Sequence, residues 1–123
     1  MTDVLVIDDA ATVRGYHRAL LERAGLSVDE AANGYEALER ALRCPYQIYI
    51  CDVVMPRMDG YTFTRALRAE RGTRDARVVL VSSQATPRAR ELGLGAGAAL
   101  YLVKPVPADT LLAHVRLLLG RAA

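Results

Sequence analysis

Four short apolar runs, each followed at once by charged or hydroxyl-bearing side chains, constrain the fold of this chain more than any other feature. The runs are Val4–Ile7, Ile48–Cys51, Val78–Val81 and Leu100–Val103. Each run is continuous rather than alternating, which is typical of strands that are covered on both faces, as in a parallel sheet. A weaker apolar segment over residues 26–31 predicts one more strand.

Helical patterns fill the gaps between these runs. Gly25 predicts the end of a first helix. Asn33 with Glu36 resembles a capping box that opens a second helix, and Thr86-Pro87 supplies a cap followed by a first-turn proline. Strand and helix alternate about five times, which predicts a doubly wound α/β sheet with right-handed crossovers. The helical side chains expected to be buried are Val13, Tyr16 or His17, Leu20, Ala24, Ala37, Leu38, Ala41, Leu42, Phe63, Ala66, Leu67, Leu111, Leu112, Val115, Leu118 and Leu119.

Length and composition fit one globular domain. A chain of 123 residues with 52% hydrophobic residues buries enough surface to fold without disulfides or a structural metal. We therefore expect a single domain over residues 1–123, without a linker or an output domain. Cys44 and Cys51 lack metal-ligand spacing and are expected to be buried thiols in a reducing cytoplasm.

Charge and hydropathy argue against two classes of partner. The formal net charge is only +2, and the arginines are spread along the chain, so we expect no direct contact with nucleic acid. No apolar stretch is long enough to cross a bilayer, and the N-terminus lacks the basic region and hydrophobic core of a signal peptide. We therefore expect a cytoplasmic protein without membrane insertion.

The side chains that follow the apolar runs carry the chemistry. In chain order they are Asp8, Asp9, Asp52, Ser82, Ser83 and Lys104. Because the carboxyl ends of parallel strands form the ligand crevice of open α/β sheets, we expect these side chains to converge. Lys104 is the single lysine among 16 basic residues, and arginine does not replace lysine where a compact point charge is needed.

Three carboxylates in one crevice repel one another unless a cation compensates. Mg²⁺ prefers oxygen ligands and often takes one or two carboxylates together with phosphate oxygens. Acids, a hydroxyl, a lysine and a metal together indicate a phosphoryl-transfer site, where positioning and charge neutralisation supply most of the catalysis. Because a carboxylate can itself be a nucleophile, the phosphoryl group is able to end on the protein.

Five motifs are distributed along essentially the whole chain: residues 6–9 with Arg14 downstream, 33–38, 52–60, 81–82 and 101–105. In these motifs the chain resembles the receiver domain of bacterial two-component response regulators, and closely its single-domain chemotaxis type. The resemblance implies a five-stranded parallel sheet in the flavodoxin-like order 2-1-3-4-5 with helices on both faces. It also implies a signalling module that is no enzyme beyond its own phosphoryl transfer and autodephosphorylation.

The resemblance assigns roles to the acids. Asp52 resembles the phosphoacceptor, which takes its phosphoryl group from the phosphohistidine of a sensor histidine kinase. Asp8 and Asp9 resemble the acidic pair that holds Mg²⁺ together with Asp52, Asp9 directly and Asp8 through water. The backbone carbonyl of Val54 matches the remaining protein ligand.

The resemblance also implies a switch. Ser82 and Lys104 stand where the family has a hydroxyl and a lysine that contact the phosphoryl oxygens, and Lys104-Pro105 resembles the family's cis peptide. Phosphorylation adds charge and strong acceptors, so Ser82 is expected to move toward them and Tyr101 to turn into the vacated space. The expected readout is a repacked surface around residues 86–107 that a partner protein recognises.

The identity of that partner stays open between a downstream target protein, in a chemotaxis- or motility-like pathway, and a histidine phosphotransferase that takes the phosphoryl group onward. We expect a monomer or a weak dimer. Val54 and Gln84 flank the path of the hydrolytic water in homologous sites and are expected to modulate the phosphoryl lifetime. Ser83 leaves open which serine engages phosphate, with Ser82 favoured, and Asp59 is expected to be structural.

Other readings fit the residues less well. A Mg²⁺-dependent phosphohydrolase of the haloacid dehalogenase type places a second aspartate two residues after its nucleophile, where this chain has Val54. A flavin site needs a hydroxyl- or glycine-rich loop after the first strand, where this chain has acids. Residues 93–98 satisfy the loose dinucleotide fingerprint but lead from a helix into a strand, so Mg²⁺ is the only cofactor we expect. His17 and His114 are expected to be packing or surface residues.

Overall fold

The computed structural model describes residues 2–120, in which five strands and five α-helices alternate. The strands are β1 (Val4–Ile7), β2 (Val28–Ala31), β3 (Ile48–Asp52), β4 (Arg77–Ser82) and β5 (Leu100–Val103). The helices are α1 (Ala11–Arg23), α2 (Gly34–Arg43), α3 (Gly60–Ala69), α4 (Pro87–Gly95) and α5 (Ala108–Leu118), and a 3-10 turn spans Arg71–Thr73. None of these helices is both long and apolar enough to cross a membrane. The four apolar runs match strands to within one residue at each end, and the weaker segment is β2.

All neighbouring strands pair in parallel, in the order β2-β1-β3-β4-β5, which confirms the predicted topology. Alternate side chains of each strand point to opposite faces, so each face of the sheet has its own core. One core packs around Tyr49 and Phe63 beneath α2, α3 and α4. The other packs around Ile50, Leu21 and Leu111 beneath α1 and α5. The continuous apolar runs are therefore explained by burial on both faces.

The predicted helix boundaries are confirmed where capping residues set them. The Asn33 side chain accepts a hydrogen bond from the Glu36 backbone N–H at 2.8 Å. Thr86 accepts one from the Ala89 N–H at 3.1 Å, ahead of the proline that begins α4. Gly25 follows α1 with a φ of +88°, a left-handed conformation that favours glycine.

The first helix faces the sheet through a different pair of side chains than the apolar spacing suggests. His17 and Leu21 are buried, Leu20 is half-buried, and Tyr16 is 52% exposed. Because neighbouring helical residues point about 100° apart, only one of Tyr16 and His17 can face the core. The choice of His17 leaves the Tyr16 hydroxyl in solvent.

Two residues expected to be buried are exposed. Leu42 is 51% exposed, because α2 contacts the core through a narrow face of Gly34, Ala37 and Ala41. Cys44 is exposed, whereas Cys51 is buried as predicted. Cys44 is the residue that caps the carboxyl end of α2, where the chain turns at the surface.

Gly60, the first residue of α3, lies against the end of β3. A Cβ atom at this position would lie 2.7 Å from the Asp52 carbonyl oxygen and 3.0 Å from the Val53 Cα. The Gly60 N–H donates to the Val53 carbonyl at 2.9 Å. Close approach of two backbone segments therefore requires glycine here, and it holds α3 against the strand that ends in Asp52.

We expect Gly60→Ala to lower the free energy of unfolding by about 1–3 kcal/mol, since the backbone atoms it meets cannot move aside without strain. Urea denaturation measures the change. Gly15→Ala is the matched control, because Gly15 lies in α1 with no atom within 4 Å of its would-be Cβ. That variant should gain about 0.5–1 kcal/mol from helix propensity. Equal effects of the two substitutions would contradict the packing argument.

Candidate functional site

Three carboxylates converge at the carboxyl edge of the sheet. Asp8 follows β1 and Asp52 ends β3, which are neighbouring strands with Ile7 opposite Cys51. Asp8, Asp9 and Asp52 each offer a carboxylate oxygen that lies within 4.8 Å of the others. Asp8 is 4% exposed and Asp52 9%, whereas Asp9 is open to solvent. The predicted convergence of the acids is therefore present, with two of them largely removed from water.

Lys104 joins these acids from β5. Its backbone N–H donates to the Ser82 carbonyl at 2.8 Å, and the Lys104-Pro105 peptide bond is cis, as the resemblance implies. The ammonium nitrogen lies 3.0 Å from an Asp52 oxygen and 3.5 Å from an Asp8 oxygen. The single lysine of the chain thus bridges the two buried carboxylates.

The charges at this edge are unbalanced. Burial raises the pKa of Asp52, and the charges of Asp8 and Asp9 act in the same direction, while the Lys104 ammonium opposes them. Burial works against the charged form of Lys104, but its hydrogen bond to Asp52 and the charges of both buried acids raise its pKa overall. The three clustered carboxylates thus have one ammonium beside them, which contacts Asp8 and Asp52, and the remaining negative charge favours binding of a further cation.

The two serines at the end of β4 have different surroundings. Ser82 is completely buried, and its Oγ accepts a hydrogen bond from the Gln84 N–H at 3.1 Å. Ser83 and Gln84 are exposed. Ser82 is thus the serine whose hydroxyl lies inside the sheet edge, next to the strand that carries Asp52.

Tyr101 already occupies the interior. The ring is 3% exposed, and its hydroxyl donates to the Gln84 carbonyl at 2.8 Å. Gly93 of α4 makes room for the ring, because a Cβ there would lie 2.8 Å from the Tyr101 Cδ2. The Arg90 guanidinium donates to the Tyr101 carbonyl at 3.2 Å and lies 5.5 Å from the ring centroid. The inward turn that the sequence leads us to expect on phosphorylation is therefore not needed to bring the ring inside.

The loop between β3 and α3 is held near its carboxyl end. Arg57 has a φ of +73°, and its guanidinium lies 5.0 Å from the centre of the Tyr35 ring. Asp59 caps α3 by accepting from the Thr62 N–H at 2.8 Å, the structural role predicted for it. Val54, nearer the start of the loop, is 59% exposed. Within residues 2–120 no group donates a hydrogen bond to the Val54 carbonyl.

Three residues near the site have no role in the sequence-based assignment. Arg14 donates to the Asp8 carbonyl at 2.7 Å and to Glu30 at 2.9 Å. Hydrogen bonds from Arg18 and Arg14 outweigh partial burial and lower the pKa of Glu30. Arg14 lies one helical turn into α1, and this spacing from the acids indicates that its side chain can reach the Asp8 carbonyl. Nothing in the sequence indicates that Glu30 of β2 pairs with Arg14 of α1.

His17 is the third such residue. It lies with Lys104 and Pro105 on the wall of a mostly apolar cavity of about 480 Å³. Burial lowers the pKa of His17, which favours the neutral ring of a packing residue, as predicted. Residues 93–98 run from the end of α4 toward β5, the reverse of the order that a dinucleotide fingerprint requires.

Known proteins resemble this chain in sequence and in fold. Residues 4–116 match the family profile described as "Response regulator receiver domain". The transcriptional regulatory protein ResD of Bacillus subtilis is 34% identical over 122 residues, which cover 99% of this chain and 50% of ResD. The chain thus spans about half the length of several curated relatives that it matches.

Solved structures agree with this assignment. Chemotaxis protein CheY4 of Vibrio cholerae superimposes with a TM-score of 0.90 at 32% identity, covering 96% of this chain and 98% of that one. The receiver domain of a sensor histidine kinase from Pseudomonas aeruginosa, which has a magnesium ion coordinated in its active site cleft, has a TM-score of 0.89 at 28% identity, with coverages of 97% and 98%. From the strand order, the acidic edge and the profile match over most of its length, we conclude that the chain belongs to the response regulator receiver domains of two-component systems, which histidine kinases phosphorylate on an aspartate.

Proposed function

We propose that Asp52 is the residue that a sensor histidine kinase phosphorylates, and that residues 1–123 act as one receiver unit. The observation that carries the proposal is the position of the Lys104 ammonium, 3.0 Å from an Asp52 oxygen at an edge shared with two further acids. Asp52 is the acid that ends a central strand and contacts the lysine most closely. It is 9% exposed, whereas the neighbouring Asp9 is open to solvent.

The same residues fit Mg²⁺. Asp8, Asp9 and Asp52 offer hard oxygen ligands within reach of one ion, and the Val54 carbonyl, which accepts no hydrogen bond within residues 2–120, supplies a further oxygen. The magnesium ion in the Pseudomonas aeruginosa receiver supports this assignment. When bound, the ion would neutralise negative charge on the phosphoryl oxygens. The unbalanced charge of the acids supplies the attraction.

Side chains of this chain carry out the proposed transfer of the phosphoryl group from the kinase. An Asp52 oxygen forms a bond to phosphorus while the bond from phosphorus to the donor imidazole nitrogen breaks. The Lys104 ammonium, 3.0 Å from an Asp52 oxygen, and the Ser82 hydroxyl, at the end of the strand next to β3, would contact the phosphoryl oxygens. Water later cleaves the acyl phosphate and restores the carboxylate. Val54 offers no carboxylate as a general acid toward an external leaving group, which argues against a phosphohydrolase.

The signal would leave the site through the Gln84 backbone. The Gln84 N–H donates to Ser82 Oγ, and the Gln84 carbonyl accepts from the Tyr101 hydroxyl. If the Ser82 hydroxyl turns to a phosphoryl oxygen, it loses its bond to the Gln84 N–H, and the Gln84 backbone becomes free to move. Tyr101 and the start of α4 would then shift, which alters the surface over residues 86–107.

Similarity along the whole of CheY4 supports a regulator that works by protein contact, as in a chemotaxis- or motility-like pathway. Passage of the phosphoryl group to a histidine phosphotransferase is the other possible output. Rapid transfer from the phosphorylated chain to a purified phosphotransferase protein would favour the shuttle. A stable interaction of the phosphorylated chain with a target, without such transfer, would favour the regulator.

We expect incubation with Mg²⁺ and a small acyl-phosphate donor to produce a single phosphoryl adduct that is stable in acid and labile in base. Intact-mass spectrometry detects it. Asp52→Asn should abolish the adduct, because the amide is not a nucleophile of this kind. Asp59→Asn is the matched control, since Asp59 is an exposed acid of the same loop, and it should still be phosphorylated. An adduct that survives Asp52→Asn would refute the assignment.

We expect Lys104→Arg to impair switching more than phosphorylation. The ammonium fits between two carboxylates at 3.0 and 3.5 Å, where the larger planar guanidinium changes the contacts to the phosphoryl oxygens. NMR spectra with and without phosphorylation compare the shifts of residues 82–107, and adduct yield is measured in parallel.

Arg23→Lys, a reverse swap at an exposed position of α1, serves as the control and should leave both measurements unchanged. If the shifts over residues 82–107 in Lys104→Arg match those of the wild type, the compact ammonium is not required. If the wild-type spectra superimpose with and without phosphorylation, the proposed readout surface is wrong.

A further inference from the structure

The turn between β1 and α1 carries two of the three acids and has little support of its own. Helix α1 begins without a side-chain cap and without an acid in its first turn. The Asp8 carboxylate instead accepts from the Ala10 N–H at 2.9 Å. Mutual repulsion among Asp8, Asp9 and Asp52 acts against a close approach of this turn to β3. The Asp8 N–H donates to the Ala31 carbonyl at 3.2 Å, and Lys104 bridges the Asp8 and Asp52 carboxylates, but neither contact restrains the Asp8 carbonyl.

Arg14 supplies that restraint. Its Nη1 donates to the Asp8 backbone carbonyl at 2.7 Å, and its Nε donates to Glu30 of β2 at 2.9 Å. The side chain is 17% exposed. Within residues 2–120 no other group donates to the Asp8 carbonyl. The planar guanidinium makes both bonds at once with fixed directions, so β2, α1 and the Asp8 turn are tied at one point.

Arg18 provides an internal comparison. It lies one turn further along α1 and pairs with the other Glu30 oxygen at 3.0 Å, and with Glu22 at 3.3 Å. It is 40% exposed and makes no contact with Asp8. The two arginines thus share one carboxylate, and only one of them reaches the acidic turn.

The geometry points to Arg14 as a positioning residue that sets the Mg²⁺ affinity of the site by holding the Asp8 carbonyl, with Glu30 fixing the direction of its guanidinium. The inference rests on the proposed function, because it takes Asp8 and Asp9 as ligands. Groups that orient metal ligands without touching the metal commonly change affinity by about 10–100-fold when removed.

The test compares Arg14→Met with Arg18→Met by isothermal titration with MgCl₂ on the unphosphorylated protein, with urea denaturation in parallel. We expect Arg14→Met to weaken Mg²⁺ binding by about 10-fold or more. Arg18→Met should change Mg²⁺ affinity by less than about twofold, because its ion pairs are partly or largely exposed and do not involve Asp8. Arg14→Lys keeps the charge but lacks the planar guanidinium that directs the two bonds, so its Mg²⁺ affinity should also be reduced. This variant replaces Arg14→Met if Arg14→Met does not fold.

A second readout separates positioning from stability. Excess Mg²⁺ should restore most of the phosphorylation rate of the Arg14 variants, whereas Asp52→Asn stays inactive at any concentration. Equal loss of Mg²⁺ affinity in the Arg14 and Arg18 variants would overturn the inference and leave the proposed function intact. Wild-type protein that binds no Mg²⁺ would overturn the proposed metal site and the inference together.

Discussion

Repulsion among three carboxylates at one edge of the sheet is the constraint on which the rest of this structure depends. The parallel strands force the acids together, since β1 and β3 are neighbours and both end at the same edge. The packing of two apolar cores supplies the free energy that keeps these strands paired. Lys104 offsets part of the repulsion and leaves a deficit of positive charge. That deficit of positive charge would attract a metal ion, or the cations that accompany a phosphoryl donor.

Much of the fold and most of the site follow from the sequence, because burial on both faces and the residues at strand ends are local properties. Runs such as Val78–Val81 need no knowledge of their neighbours to be recognised as buried strands. Lys104 follows a strand that ends at the same edge of the sheet as Asp52, and its long side chain reaches across the intervening strand β4. Asn33 and Thr86 cap helices through bonds to residues three positions away, which are equally local.

The structure differs from the sequence-based predictions where contacts between distant segments determine which side chains are buried. The exposure of Leu42 and Cys44 depends on which face of α2 the sheet accepts, and the choice of His17 over Tyr16 depends on the rotation of α1 about its axis. The pairing of Arg14 with Glu30 joins residues 16 positions apart on different elements. The buried position of Tyr101 depends on the absence of a side chain at Gly93. None of these contacts leaves a periodic pattern in the sequence.

The division of positive charge in this chain has a physical reason. Several arginines bind backbone carbonyls in pairs or beside a second partner: Arg68 holds the carbonyls of Arg74 and Gly97, and Arg90 holds that of Tyr101 beside the Tyr101 ring. A guanidinium suits such multiple, directional contacts. Lys104 lies between two buried carboxylates, where a small ammonium with three donors can change partners without changing shape.

The connection of Ser82 to Tyr101 runs through the main chain of Gln84, while the Gln84 side chain is exposed and makes neither bond. Any residue other than proline can supply that N–H and carbonyl. In the proposed switch, coupling would therefore depend on the main-chain atoms of Gln84, and the phosphoryl lifetime on its side chain. A substitution of that side chain would then change how long the response lasts and leave unchanged how strongly it is transmitted.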